Sequence, residues 1–405
     1  MELIRAYKTE LKLNNVQITN CTDHINAARF AWNWGLACRI EAYKEHGETL
    51  NAISLHRELN TLKKTDFAWM YSVSKCAPQE ALRDLDKAYT NFFEHRARYP
   101  RFKKRKGNPG KKSFRLTGAI RVFEDYIQLP RLGKLRLKEN GYIPLDAHIL
   151  SATVSEKAGR WFVSIQVKEE VNIPINTGEV AGVDLGIKTM AYISDGTVFE
   201  NPKALTRYER KLKRAQRKVS RRIKGSNNRI KAIKELQIIH KQINNIRTDA
   251  IHKATSYLAK TKSVIVLEDL NVSGMMKNHH LAKAIADVGL HEFRRQMEYK
   301  CQLYGSEPVF ADRFFPSSKM CSQCGHIKTD LTLSQRMFIC NECGFTLDRD
   351  YNASLNLRQV AASSTDTLKT PVGVDGSGLF NIRASETILD ESGNKHYLGT
   401  GILNG

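Results

Sequence analysis

AGVDLGIKTMAYISDG, residues 181–196, sets an acid inside an apolar run, with Asp184 flanked by Val183, Leu185 and Ile187. The flanks read as a buried strand that continues into a second one. An acid there is either a misread strand edge or turn, or a carboxylate with a partner, because burying an unpaired one is expensive. A metal ion would relieve that cost. Two later segments also put acids at the ends of elements. SVIVLEDL, residues 263–270, is an apolar strand closing on Glu268, and DRDYNAS, residues 348–354, places Asp348 and Asp350 before a final short helix near Asn352.

Between the second and third acidic segments lie Cys321-Ser-Gln-Cys324 and Cys340-Asn-Glu-Cys343, each followed by a glycine, Gly325 and Gly344. Two such knuckles let four thiolates close a tetrahedron around one Zn²⁺, with each glycine permitting the tight turn beneath. A redox dithiol is the alternative, which two pairs at this spacing make the poorer account. A closed four-cysteine site is structural and performs no chemistry. His326 is near enough to be considered as a ligand, although a fifth is not needed. The scattered Cys21, Cys38, Cys76 and Cys301 read as ordinary thiols.

The 405 residues carry 64 Lys and Arg against 42 Asp and Glu, a net charge of +22. That surplus points to a polyanionic partner, nucleic acid before an anionic membrane surface or acidic proteins. No apolar run approaches the ~20 residues that span a bilayer. The N-terminus lacks a signal-peptide core, so a cytoplasmic protein with reduced thiols is expected.

Working outward, the first residues read as a strand, with Thr22 or Asp23 as candidate caps of a following helix. A helical region runs to about 98, its clearest member placing Leu82, Leu85, Tyr89, Phe92 and Phe93 on one face. YPRFKKRKGNPGKKSFR, residues 99–115, is basic and loop-like. Short strands follow at AIRVF, YIQLP and KLRLK, then a hairpin turned at Ala158-Gly159. Two or three strands fill 180–200, long helices 203–260, a helix about 285–304, and a strand PVFADRFF. Residues from 358 shift to Ser, Thr and Gly with balanced charge, so the surplus belongs to the body.

An acid in a first strand, one closing a later strand and one opening the last helix is the order of an RNase H-like nuclease, whose carboxylates hold two Mg²⁺. GVDLGIKTMAYISDG, VIVLEDLNVSGM, FFPSSKMCSQCG, CNECG and LDRDYNASLNL resemble, in order, the RuvC motifs and zinc ribbon of the TnpB family, which is encoded by insertion sequences and related to type V CRISPR effectors. The match is dense from about 180 to 357 and thinner in QEALRDLDKAYTNFFEHRARYPRFKKRK.

The resemblance implies a multidomain α/β protein. A β-barrel-like, wedge-like domain (1–20 and 99–172) would be interrupted by a helical recognition domain (21–98). An RNase H-like (RuvC) nuclease domain (173–313 and 347–357) would hold an inserted zinc ribbon (314–346), with a loosely ordered tail (358–405). It implies an RNA-guided DNA endonuclease with a guide RNA from the transposon end, acting on target double-stranded DNA beside a short flanking motif. One chain per guide RNA is expected. By family position Asp184, Glu268 and Asp350 are the catalytic acids, binding two Mg²⁺ (or Mn²⁺); Asp348 rivals Asp350, which sits two residues before Asn352. Cys321, Cys324, Cys340 and Cys343 hold one structural Zn²⁺. A transposase catalysing strand transfer and a non-cutting RNA-guided regulator are the competing functions.

Two basic surfaces fit phosphate backbones. Residues 203–224 hold eleven basic residues and one acid, Glu209, with Arg207, Arg210, Arg214, Arg217 and Arg221 recurring along one helix face. Arg101, Lys103, Lys104 and Arg105 form the second, for which a mere flexible linker is the alternative. Lys75 and Gln79, one helical turn apart, are candidates for reading bases, or else ordinary exposed polar residues.

Overall fold

The computed structural model describes residues 2–104, 112–332 and 335–364. They fall into two compact units, Glu2–Glu170 with Arg222–Gln237, and Val171–Arg221 with the residues from Ile238 on.

In the first unit β1 (Glu2–Lys12) leads into three helices, α1 (Asn15–His46), α2 (Ala52–Leu62) and α3 (Cys76–Phe93). Six strands follow: β2 (Lys112–Leu116), β3 (Arg121–Val122), β4 (Tyr126–Leu129), β5 (Gly133–Leu137), β6 (His148–Lys157) and β7 (Arg160–Glu170). The cap of α1 lies earlier than Thr22 or Asp23. Asn14 accepts from the Gln17 N–H, and Gln17 returns a bond to the Asn14 N–H, so a capping box starts the helix. Thr22 instead sits inside it, its hydroxyl donating to the Ile18 carbonyl. The expected hairpin is present: Ala158 and Gly159 both have positive φ, at 55° and 75°, and join β6 to β7 through the tight turn that matches strand twist. Along β7, Trp161, Val163, Ile165 and Val167 alternate inward onto a core shared with Leu55, Leu59 and Leu82 of the helices. Phe93 departs from its expected face; it is 65% exposed and stacks on Tyr89 at the helix surface.

The sheet runs β2-β6-β7-β1-β5-β4-β3. Its end strands do not pair among the described residues, so the expected barrel is an open sheet. A two-residue β3 offers too short an edge to close one. The opposite edge, β2, arises within the segment read as a basic loop. It carries charges that discourage edge pairing, Lys112 bonded to Glu156 at 2.5 Å and Arg115 to Asp84. Arg105 lies outside the described residues.

The second unit opens with β8 (Ala181–Asp184), β9 (Thr189–Ile193) and β10 (Val198–Glu200), then α4 (Ala204–Ser220) and, from Ile238 on, α5 (Asn227–Thr261), whose earlier residues belong to the first unit. β11 (Val264–Glu268), α6 (Val272–Met275), α7 (Ala282–Val288), α8 (Leu290–Tyr304) and β12 (Glu307–Ala311) follow, then β13 (Met337–Ile339), β14 (Thr346–Asp348) and α9 (Arg349–Ser364). The sheet order is β10-β9-β8-β11-β12; β8, β11 and β12 are parallel, while β9 pairs antiparallel with both β8 and β10. The helix expected at 285–304 is two, broken at Gly289 where φ is 78°. The final helix starts at Arg349 rather than near Asn352. It runs on to Ser364, so residues 358–364 of the expected tail are helical and the remainder lies outside the described residues. No described helix is long and apolar enough to cross a membrane.

Both faces of the parallel strands are covered, as such strands require. Ile265 and Leu267 pack with Leu258, Phe293 and Met297 on one side, and Val266 with Leu357 and Ala361 of α9 on the other. α9 comes down onto β8 at Gly182: a Cβ there would lie 2.1 Å from the Ser354 carbonyl oxygen and 2.4 Å from the Arg358 nitrogen. Gly182→Ala must therefore lift the helix from the sheet. We expect a loss of about 3 kcal/mol, read as a lowered melting temperature; melting like the parent would show that α9 is not seated there.

Candidate functional site

Asp184 ends β8 and Glu268 ends β11, the neighbouring parallel strand, in a register that pairs Leu267 with Val183. Both carboxylates thus stand at the carboxyl ends of adjacent parallel strands, where open α/β sheets place their sites. Asp350 comes from the first turn of α9, which the bare Gly182 allows to lie close above β8. Asp184 registers the convergence. Its carboxyl is held well above the usual range, first by desolvation and then by the negative charges of Glu268 and Asp350, with Arg349 partly offsetting them. Arg349 supplies one cation to the group, its guanidinium 3.4 Å from an oxygen of Asp350; carboxylates are hard oxygen donors of the kind that suit divalent cations.

The neighbouring acids have other employment. Asp348 caps α9, one of its oxygens accepting from the Asp350 N–H at 3.0 Å and the Tyr351 N–H at 3.1 Å. Asp269 binds Arg294 at 2.5 Å through one oxygen and Arg313 at 2.6 Å through the other, which lowers its pKa. Glu268 is different: among the described residues its one hydrogen-bond partner is the Ser317 hydroxyl, which donates to Oε1.

The four cysteines of the two knuckles also come together. Their sulfurs all lie within 4.8 Å of one another, with Cys321 and Cys343 3.7 Å apart and Cys324 and Cys340 3.6 Å apart. A tetrahedron with Zn–S bonds of about 2.3 Å has edges of about 3.8 Å, so the group could hold a metal ion such as zinc. The two knuckles fold alike. The Cys321 N–H donates to the His326 carbonyl and the Gly325 N–H to the Cys321 carbonyl; Cys340 pairs with Phe345 and Gly344 with Cys340 in the same way. Gly325 and Gly344 take φ of 75° and 71°, which a side chain would resist. His326 thus serves through its backbone. The Cys340 thiol is lowered to about 6 by the N–H groups of Cys343 and Glu342. For Cys324 a bond from the His326 backbone works downward, but burial and the other thiols push it to about 12.

In the other unit Lys75 is exposed immediately before α3, and Gln79 is half-buried in its first turn. Residues 101–104 are tethered along α1. The Trp32 indole N–H donates to the Arg101 carbonyl at 3.0 Å, Asn33 bonds both backbone groups of Lys103, and the Lys103 ammonium sits 3.6 Å over the Trp32 ring. A free linker is therefore not what carries Arg101, Lys103 and Lys104, all exposed. On α4, Arg207, Arg210, Arg214 and Arg217 are exposed, as is Arg221 after it, while Leu212 and Ala215 face inward. Glu209, the acid among them, is committed to Lys213 and Lys283.

The residues missed from sequence are Ser317 and Asn356, with Asn352 serving there only as a landmark. Asn352 and Asn356 are fully buried one turn apart on α9 and bond the backbone of residues 317–322. Asparagines four apart in a helix were the available signal.

Comparison with known proteins gives three family matches: residues 162–279 to OrfB_IS605, described as "Probable transposase"; 291–357 to "Cas12f1-like, TNB domain"; and 1–48 to "Helix-turn-helix domain". Within 1–48 the structure has a strand followed by one 32-residue helix. The chain is 35% identical over 356 residues to a "Putative RNA-guided DNA endonuclease" of Streptomyces pristinaespiralis, covering 87% of this chain and 88% of that one. It is 34% identical to a "Putative RNA-guided DNA endonuclease InsQ" of Escherichia coli (strain K12), covering 88% and 92%. Among solved structures, the "Cryo-EM structure of the Cas12f1-sgRNA-target DNA complex" shares the fold with a TM-score of 0.53 at 14% identity, over 88% of this chain and 99% of that chain.

Proposed function

We propose, from the premise that this chain belongs to the TnpB family, that it is an RNA-guided DNA endonuclease cutting through Asp184, Glu268 and Asp350. The support for the reading is that Asp184 and Glu268 end adjacent parallel strands and that the charges of Glu268 and Asp350 both bear on Asp184. That placement supports an RNase H-like, RuvC-type domain, and the cysteine quartet beside it supports an inserted zinc ribbon. The body of the first unit then supplies a wedge-like sheet and a helical recognition element.

Asp184, Glu268 and Asp350 would hold two Mg²⁺, which when bound supply an activated water and stabilise the leaving 3′ oxygen. The chain's own part is to fix the carboxylates. β8 and β11 set two of them in register, and α9 brings the third down over Gly182. Asp348 is spent on the helix cap, while Asp350, with the Arg349 guanidinium 3.4 Å from one oxygen, is the acid taken for the site. Cys321, Cys324, Cys340 and Cys343 would hold one Zn²⁺ with a structural role.

Sequence recognition is assigned to a guide RNA pairing with the target strand, while Lys75 and Gln79 are candidates for reading the flanking duplex. The α4 arginines, Arg101, Lys103 and Lys104 would track phosphates. Replacing Arg210 and Arg214 by glutamate is expected to weaken nucleic-acid binding and shallow its salt dependence. Each phosphate left unneutralised takes about 0.7–0.9 off the slope of log affinity against log salt; filter binding over a salt series measures it, and an unchanged slope would remove α4 from the interface. The function itself is tested by purifying the chain with co-expressed RNA and exchanging the guide segment. Cleavage that moves with the guide supports the reading, and cleavage that ignores it refutes it.

A further inference from the structure

Ser317 belongs to the segment that leaves β12 and enters the first cysteine knuckle, and only 3% of it is exposed. Its hydroxyl donates to Oε1 of Glu268. Its carbonyl accepts from the Asn356 amide at 2.7 Å, and the same amide donates to the Met320 carbonyl at 2.6 Å. Asn352 adds a bond to Met320 at 2.7 Å and receives the Ser322 N–H at 3.0 Å. Met320 and Ser322 flank Cys321. One helix, α9, therefore carries Asp350 and also clamps the short peptide that holds both Ser317 and the first cysteine.

We propose that Ser317 is the positioning residue of Glu268, and that the clamp formed by Asn352 and Asn356 ties the placement of that carboxylate to the closed cysteine cluster. The inference rests on the reading of Glu268 as a metal-binding acid. Its chemistry is clearest beside Asp269, the next residue. Two arginines neutralise Asp269, one on each of its oxygens, which disfavours a further cation there. A serine hydroxyl fixes one oxygen of Glu268 without neutralising it, and Oε2 has no partner among the described residues. A hydrogen bond of this kind holds a flexible side chain in one rotamer while preserving its charge for a metal.

The test uses the full chain with its RNA and the pair Ser317→Thr and Ser317→Val, which are matched in volume and differ in the hydroxyl. Mn²⁺ affinity is read by electron paramagnetic resonance titration without DNA, the Mg²⁺ dependence of cleavage is measured alongside, and zinc content is checked. Threonine should stay near the parent, while valine should weaken Mn²⁺ binding and raise the Mg²⁺ needed for half-maximal cleavage by about tenfold, the usual effect of losing a ligand-orienting bond. Both variants should retain one zinc. If threonine and valine behave alike in both titrations, Ser317 is a packing residue and the proposal falls. Glu268→Ala separates the premises: if that variant binds Mn²⁺ and cleaves like the parent, the reading of the acidic site fails, whatever Ser317 does.

Discussion

Asp184→Ala is expected to lower guide-directed cleavage by about a thousandfold or more, equivalent to about 4 kcal/mol of transition-state stabilisation, while leaving RNA binding unchanged. In the absence of divalent cations the same change should raise the melting temperature. Desolvation, then the charges of Glu268 and Asp350, raise the pKa of this carboxyl, so its ionised form is the costly one when no cation is present. The sign of the pH dependence follows. Because its folded pKa lies above its unfolded value, this group makes the metal-free protein less stable as pH rises from the unfolded value upward. Melting curves in chelator at acidic and neutral pH should show a fall that Asp184→Asn reduces. Equal melting of parent and variant at neutral pH would show that the acids do not repel one another.

Removal of zinc is the second large effect. The ribbon's own core is a handful of residues, Phe338 with Cys321 and Cys340 against Leu331 and Phe345, too little to fold alone. In small zinc modules the metal supplies on the order of 10 kcal/mol of folding free energy. Cys340→Ser, or exhaustive chelation, should release one equivalent of zinc and abolish hydrogen-exchange protection at the two knuckles. Cleavage should fall by at least about a hundredfold, since the peptide that orients Glu268 runs into the first knuckle. A zinc-free ribbon that keeps its exchange protection would show that the thiols and this small core suffice.

What could be read from sequence were features with local causes. The paired knuckles with their glycines and the Ala158-Gly159 hairpin each carry their own chemistry within a few residues, whereas Asp184, read as lying within a strand, ends β8, with Leu185 and Ile187 beyond it. The start of α1 was also local, in Asn14 and Gln17, but the later Thr22 and Asp23 competed as caps. Gly289 breaks a helix across which the periodicity continues, because apolar spacing on either side survives a change of axis. The open sheet was hidden for a different reason. Strand patterns do not say whether the last strand returns to the first, and β2 lay in a stretch dominated by its charge. Ser317 and Asn356 were illegible because each acts across a long sequence separation, on Glu268 and on residues 317–320. Arg349 beside Asp350, weakening the repulsion at Asp184, is of the same kind.

The most direct measurement of the central claim is cleavage of a plasmid library. The chain, purified with its RNA, is incubated with Mg²⁺ and plasmids bearing a guide-matched target beside randomised flanks, with Asp184→Ala in parallel. Linear product that requires the guide match and Mg²⁺, depletes one flanking motif and vanishes in the variant is the predicted result. RNA bound without any cutting, or cutting that survives the loss of Asp184, would contradict it.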